Sequence, residues 1–359
     1  MIHSKNILSS HLSNVATGLA RLRGINDTAA LSDGGFRLQF DEWDWEIGVG
    51  VYGLYRHAAA TKDDSLIAAL ADWYDWQISR GLPARQVNST APMLALACLV
   101  DHLDRPDWEE LVKDWADWLC NGLTKTEDGG FQHVTKERQN EGELWDDTLF
   151  MTCLFLAKAG VRFDRQDWVD EAVFQFLLHA RYLSDPKTGL WYHGWTFRGR
   201  HNFAEAFWAR GNSWATIAIP ELLDIVPELG GSERRFLKAI LRSQVTAMAK
   251  LQCKSGFFRT LLDDPTAQIE SSATAGIAYG VSRAIELGLL DESYREMSND
   301  AFEAVLGCID DSGIVTHCSD GTPMGHTLQF YKDIPDIPAP YGQALTMLML
   351  VDALERASD

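Results

Sequence analysis

The chain has 359 residues, 46% of them hydrophobic and 23% charged, with a formal net charge of −19. That length and mix describe a soluble globular protein able to bury one large core or two ordinary ones. The acidic excess argues against nucleic acid or an anionic membrane as the main partner, and no apolar run reaches the length of a membrane span.

The N-terminus runs from Met1 into a Leu/Ala helical pattern without the apolar core and cleavage site of a secretory signal. Six cysteines (98, 120, 153, 253, 308 and 318) show no CxxC spacing, and most sit in apolar helical patterns. They read as free thiols in a reducing compartment, which makes a cytoplasmic protein the simplest expectation.

Helical periodicity recurs along the chain, whereas strand signals are scarce. A first helix is expected over 5–23. An inner helix, apolar nearly all round, begins near Ile47, and an amphipathic outer helix follows over 63–80. The alternation repeats: inner helices begin near Ala91, Thr148, Ser213, Ala273 and Gly342, and outer ones near Asp107, Asp167, 232 and 291. In the segment from Asp107, the residues Trp108, Leu111, Trp115, Trp118 and Leu119 share one face. Both Asp-Trp starts, at Asp107 and Asp167, are expected to cap their helices. A helix without a polar face must be buried on all sides. Six inner and six outer helices in alternation therefore predict an all-α (α/α)6 barrel of six helical hairpins, a single domain over 1–359. An open α-solenoid is the structural alternative.

Gly-led, aromatic-rich loops separate each outer helix from the next inner one: Gly34-Gly35-Phe36, Gly129-Gly130-Phe131, Gly189-Leu190-Trp191, Gly256-Phe257-Phe258 and Gly313-Ile314-Val315. In a barrel they would gather at one end. Seven of the 13 tryptophans (43, 45, 145, 191, 195, 208 and 214) lie in or beside them. Rings beside polar side chains suit sugars, whose C–H faces stack while their hydroxyls take hydrogen bonds.

Two clusters can carry chemistry. In Glu-Leu-Trp-Asp-Asp-Thr-Leu-Phe-Met (143–151) two adjacent carboxylates meet the mouth of an apolar helix. One is expected to cap the helix, and the other to project as a general acid/base with its pKa raised by apolar surroundings. Spacing alone does not choose between them. His133 ends Gly-Gly-Phe-Gln-His ten residues before the start of that stretch. The second cluster is His193-Gly194-Trp195 with Phe207-Trp208-Ala209-Arg210-Gly211-Asn212-Ser213-Trp214. There Arg210 at a helix N-terminus can clamp a carboxylate or tie down its own loop. The histidines lack i,i+4 or HExxH spacing and no phosphate loop is present, so neither a metal nor another cofactor is expected.

Leu-Trp-Asp-Asp-Thr-Leu-Phe-Met, His-Gly-Trp, Phe-Trp-Ala-Arg-Gly-Asn-Ser-Trp, Glu-Ser-Ser-Ala-Thr-Ala (270–275) and Pro-Tyr-Gly-Gln-Ala-Leu (340–345) occur in that order. By these motifs the chain resembles, over roughly 40–350, glycoside hydrolase family 105, the unsaturated rhamnogalacturonyl hydrolases. Family 88, the unsaturated glucuronyl hydrolases, is a more distant likeness. The resemblance implies an (α/α)6 barrel that removes a 4,5-unsaturated uronic acid from the non-reducing end of a lyase-generated oligosaccharide. The enol ether is hydrated, which differs from ordinary two-carboxylate glycoside hydrolysis. It assigns the catalytic acid/base to Asp147 and leaves Asp146 as a cap or supporting neighbour. Implied substrate-binding residues are Asp44, Trp45, His133, His193, Trp195, Arg210 and Trp214. Asn88 joins them, standing where some relatives carry a second active-site Asp. A sugar epimerase using His133 and His193, or a non-catalytic solenoid, are the competing expectations.

Overall fold

A computed structural model of the chain describes residues 3–22, 38 and 40–357. Among these, an outer helix α1 (Lys5–Arg21) is followed by inner α2 (Trp45–Thr61) and outer α3 (Asp64–Ser79). A one-turn α4 (Val87–Thr90) leads into inner α5 (Pro92–Leu99), and outer α6 spans Pro106–Asn121. A short strand β1 (Glu143–Trp145) and a π-helical turn (Leu149–Cys153) precede inner α7 (Leu154–Arg162), then outer α8 (Gln166–Leu183) and strand β2 (Gly194–Thr196). Inner α9 (Ala209–Ile225) and outer α10 (Gly231–Met248) are followed by the small strands β3 (Phe258–Arg259) and β4 (Ile269–Glu270). Inner α11 (Ser271–Glu286), outer α12 (Arg295–Leu306), the loop helix α13 (Leu328–Lys332) and inner α14 (Pro340–Arg356) complete the chain.

The inner helices touch in the order α2, α5, α7, α9, α11, α14, and α14 returns to α2, so the ring is closed. Each outer helix packs on an inner one, with α1 against α14. This is the expected (α/α)6 barrel; the solenoid alternative fails on the α14–α2 contact. The apolar sequence of the inner helices follows from this position: every residue of α5 is buried, as a helix walled on all sides requires. A buried Arg56–Glu221 ion pair of 2.9 Å, joined by the hydroxyls of Tyr52 and Tyr279, stitches α2, α9 and α11.

Four of the Gly-led loops share one construction. Gly129, Gly189, Gly256 and Gly313 all have φ between +81° and +89°, the region open to glycine at low cost. Two residues after each, a backbone N–H is caught by a side chain: Phe131 by Gln175, Trp191 by Asn212, Phe258 by Thr274 and Val315 by Gln343. The loop at Gly34-Gly35-Phe36 lies outside the described residues. One local expectation is corrected. Asp107 and Asp167 do not cap; Arg105 and Arg165 occupy the N-cap positions. Each Asp carboxylate instead binds the guanidinium two residues earlier.

Candidate active site

The N-termini of the inner helices converge at one end of the barrel, where their unpaired N–H groups and dipoles favour anions. A cavity of 360 Å³ opens there, within the range of small-ligand sites. Its wall includes Trp45, Trp145 and Trp208 as aromatic surfaces and Asn88, His133, Asp147 and Thr322 as polar ones.

The carboxylate pair is positioned by backbone pairing. Strands β1 and β2 run antiparallel with Trp145 opposite Gly194, and the Asp146 N–H donates to the His193 carbonyl at 3.0 Å. The two acids then part. Asp146 is fully buried and turned toward α9, where Gly211 admits it; a methyl group at 211 would overlap the carboxyl. Asp147 turns to the cavity, with its Oδ2 3.4 Å from His193 Nε2. The π-helical turn that follows, a feature common at functional sites, starts the inner helix just past the pair.

Electrostatics separate the two acids further. Burial, followed by the adjacent Asp147 charge, pushes Asp146 well above the usual carboxylate range. Burial acts upward on Asp147 too, but the His193 contact and the fields of His193 and His133 outweigh it and bring it to about 2. Asp146 is thus the protonated member and Asp147 the ionised one. This reverses the expectation that the projecting carboxylate has the raised pKa. Nor is Asp146 the N-cap of the turn that follows: Thr148 holds that position, and the Asp146 carboxyl is turned to Gly211.

His133 lies flat on Trp145, ring centroids 4.2 Å apart, and its Nδ1 meets Thr148 Oγ1 at 2.9 Å. Burial lowers it to about 4, so it is neutral near pH 7. His193 is edge-on to Trp145, and its Nδ1 contacts the Tyr331 hydroxyl at 2.7 Å. Asp146, Asp147 and His193 each bring a ligand atom to within 4.8 Å of the others, the group among the described residues that could hold a cation. Linear spacing hid it, because only the β1–β2 pairing assembles it. A cation there would have to displace the Asp146 proton.

The other expected residues divide. Trp45 and Asn88 line the cavity. Asp44 caps α2, accepting the Trp45 N–H at 2.7 Å, binds Lys136 at 3.2 Å and lines a neighbouring 560 Å³ cavity. Trp195 stacks on Tyr182 at 5.3 Å, away from the cavity wall. Trp214 is wholly buried against Phe150.

Arg210 is also wholly buried, sandwiched between the rings of Trp208 and Tyr341. Its guanidinium donates to the carbonyls of Ser319 and Asp320, at 2.9 and 2.8 Å, and to the hydroxyls of Ser319 and Thr322. Glu270 lies 3.4 Å away. Of the two sequence readings, the loop tie describes these contacts, and the loop it ties carries Thr322 into the cavity wall. Sequence reasoning did not select Trp208 as a wall or Tyr341, which stacks on Trp45 at 4.7 Å. Both stand inside the motifs Phe-Trp-Ala-Arg and Pro-Tyr-Gly-Gln, so those motifs were the available signal.

A closed helical barrel with aromatic walls and a divided carboxylate pair at its mouth is suited to binding a sugar and acting on it. The family model for Glycosyl Hydrolase Family 88 matches residues 27–357, and the chain belongs to that family. It is 30% identical over 323 residues to the unsaturated rhamnogalacturonyl hydrolase YesR of Bacillus subtilis, covering 89% of this chain and 92% of that one. A crystal structure of a possible GH105 family member from Salmonella enterica superposes with a TM-score of 0.93 at 38% identity, covering 99% of this chain and 95% of that one. The unsaturated glucuronyl hydrolase of Bacillus sp. GL1 shares the fold, with a TM-score of 0.72 at 17% identity and 97% coverage of both chains. Among the described residues no helix is long and apolar enough to cross a membrane.

Proposed function

We propose that the protein removes a 4,5-unsaturated uronic acid from the non-reducing end of lyase-generated oligosaccharides by hydrating its enol ether. Membership of the family and the likeness to YesR support the reaction class. The observation that carries the mechanism is the division of the acidic pair, with Asp146 sealed and protonated and Asp147 ionised at the cavity. Between them the two hold one proton at neutral pH, and their side chains face each other closely enough to share it. It crosses from Asp146 to Asp147, which delivers it to C4 of the sugar as Asp146 is left ionised. A water then adds at C5 and returns a proton to the pair. The hemiketal opens, releasing the shortened saccharide and a keto-uronate, so the net change is addition of one water.

Trp45, Trp145 and Trp208 supply faces for the sugar rings. Asn88 offers an amide, which binds a hydroxyl or orients water but takes no proton; the scheme accordingly uses no second base there. His133, neutral and held by Thr148, serves as a positioned hydrogen-bonding group. His133 and His193 lie against the same Trp145 ring, and only His133 lines the cavity, which disfavours a two-histidine epimerase. Six free thiols support a reducing, cytoplasmic location, checked by cell fractionation. The unsaturated sugar absorbs in the ultraviolet, so the reaction is tested by mixing the protein with unsaturated disaccharides from pectic and glycosaminoglycan sources. Loss of the band with at least one source is expected; persistence with all of them would overturn the reading.

A further inference from the structure

We propose that Arg138 holds the carboxylate of the unsaturated sugar and thereby sets the enzyme's preference for a free uronate. The inference rests on the hydrolase reading above. A uronate entering the cavity brings a negative charge toward ionised Asp147, and two like charges at such range repel unless a cation stands between or beside them. Arg210 does not meet that need, because its terminal nitrogens are spent on the loop at Ser319–Thr322 and no part of it is exposed.

Among the described residues that line the cavity, Arg138 is the only Lys or Arg. Its neighbour Lys136 is engaged by Asp44 at 3.2 Å and Glu137 at 3.6 Å and faces the adjoining cavity. No carboxylate among the described residues forms a salt bridge with the Arg138 guanidinium. Other surface arginines close to acids are paired, as Arg105 is with Asp75 and Arg200 with Glu127.

The backbone beneath Arg138 is fixed although its side chain is exposed. The Thr135 N–H donates to the Arg138 carbonyl at 2.9 Å, and the Arg138 N–H donates to Thr135 Oγ1 at 3.2 Å. Asn140 Nδ2 ties the base of the loop to the His133 carbonyl at 2.7 Å. A planar guanidinium on such an anchored turn can meet a carboxylate with two parallel hydrogen bonds. His133 thus contributes both a ring to the cavity wall and, through its carbonyl, an anchor for the turn that carries Arg138.

The test compares an unsaturated disaccharide with its uronate methyl ester, using wild type, Arg138→Gln and Arg138→Lys. The ester's stronger electron withdrawal slows protonation in every variant alike, so the change in the acid-to-ester ratio isolates the contact. Arg138→Gln is expected to lower kcat/KM for the acid roughly tenfold to a hundredfold, mainly through KM. Its loss on the ester is expected to be several-fold smaller, and Arg138→Lys should recover part of the acid preference. Equal losses on acid and ester, or an unchanged ratio, would overturn the assignment while leaving the hydrolase reading intact. A wild type that leaves the ultraviolet band of the acid untouched would overturn both.

Discussion

Asp146 and Asp147 are chain neighbours with opposite fates, and the difference lies in what each one faces. Asp147 meets His193 and the cavity, whereas Asp146 meets the bare backbone of Gly211. Asp147→Asn is expected to lower kcat by roughly 10²–10⁴-fold, the range of a general acid/base, with the fold retained by circular dichroism. The Asp146 effect is read in stability. Its folded pKa is raised, so above the unfolded value of 3.8 the unfolded chain gives up a proton that the folded one keeps. That contribution therefore costs stability increasingly as pH rises from 3.8 toward the folded pKa. Asp146→Asn lacks this titration, so its melting temperature relative to wild type should climb between pH 4 and 7. A difference that stays flat with pH would show that Asp146 is ionised in the fold. The sequence made the pair and the motif choice of Asp147 legible, but not which acid holds its proton more tightly. That depends on a glycine more than sixty positions away, brought close only by the barrel.

Helices were the most legible elements, since inner and outer classes differ in how far round the helix the apolar residues extend. Starts were less so. The two Asp-Trp helices begin one residue before their aspartates, because Pro106 and Gln166 take the first helical positions. The short β1–β2 ladder also left no readable signal: three residues a side carry too little alternation, yet it places the acids beside His193. The Gly-led turns are rigid parts of the frame. Gly313 has φ +81°, and a methyl group there would overlap the carbonyl of Asn14 on α1. Gly313→Ala is expected to cost about 1–3 kcal/mol in urea unfolding, since both the conformation and the space are denied. A variant as stable as wild type would show that the Gly313 turn is not a rigid seat for α1.

At the scale of the molecule, closure of the inner ring makes buried polar groups costly, and the deepest ionisable groups are held paired or neutral. Glu221, held by Arg56, Tyr52 and Tyr279, joins three inner helices. Removing one partner of a buried ion pair strands the other, so Glu221→Ala should cost about 3–5 kcal/mol by denaturant titration. The buried imidazoles act through pH. Burial lowers His133 and His179 from 6.5 to about 4, so between those values the unfolded chain takes up protons that the folded chain refuses. Stability should fall as pH drops from 6.5 to 4, and His179→Gln should flatten the slope in thermal melts. The sequence conveyed the barrel as a whole because periodicity is a local property repeated twelve times. It conveyed the pocket less fully because Trp208 and Thr322 meet there, with Tyr341 stacked on Trp45, only after the ring has closed.

The central claim is that Asp147 delivers the proton that starts hydration of the double bond. The direct measurement is the rate at which the ultraviolet absorbance of an unsaturated uronyl disaccharide disappears under saturating substrate, for wild type and Asp147→Asn side by side. Rapid loss is expected with wild type, and a rate lower by about 10²-fold or more with the variant. An Asp147→Asn protein that clears the band at the wild-type rate would contradict the claim.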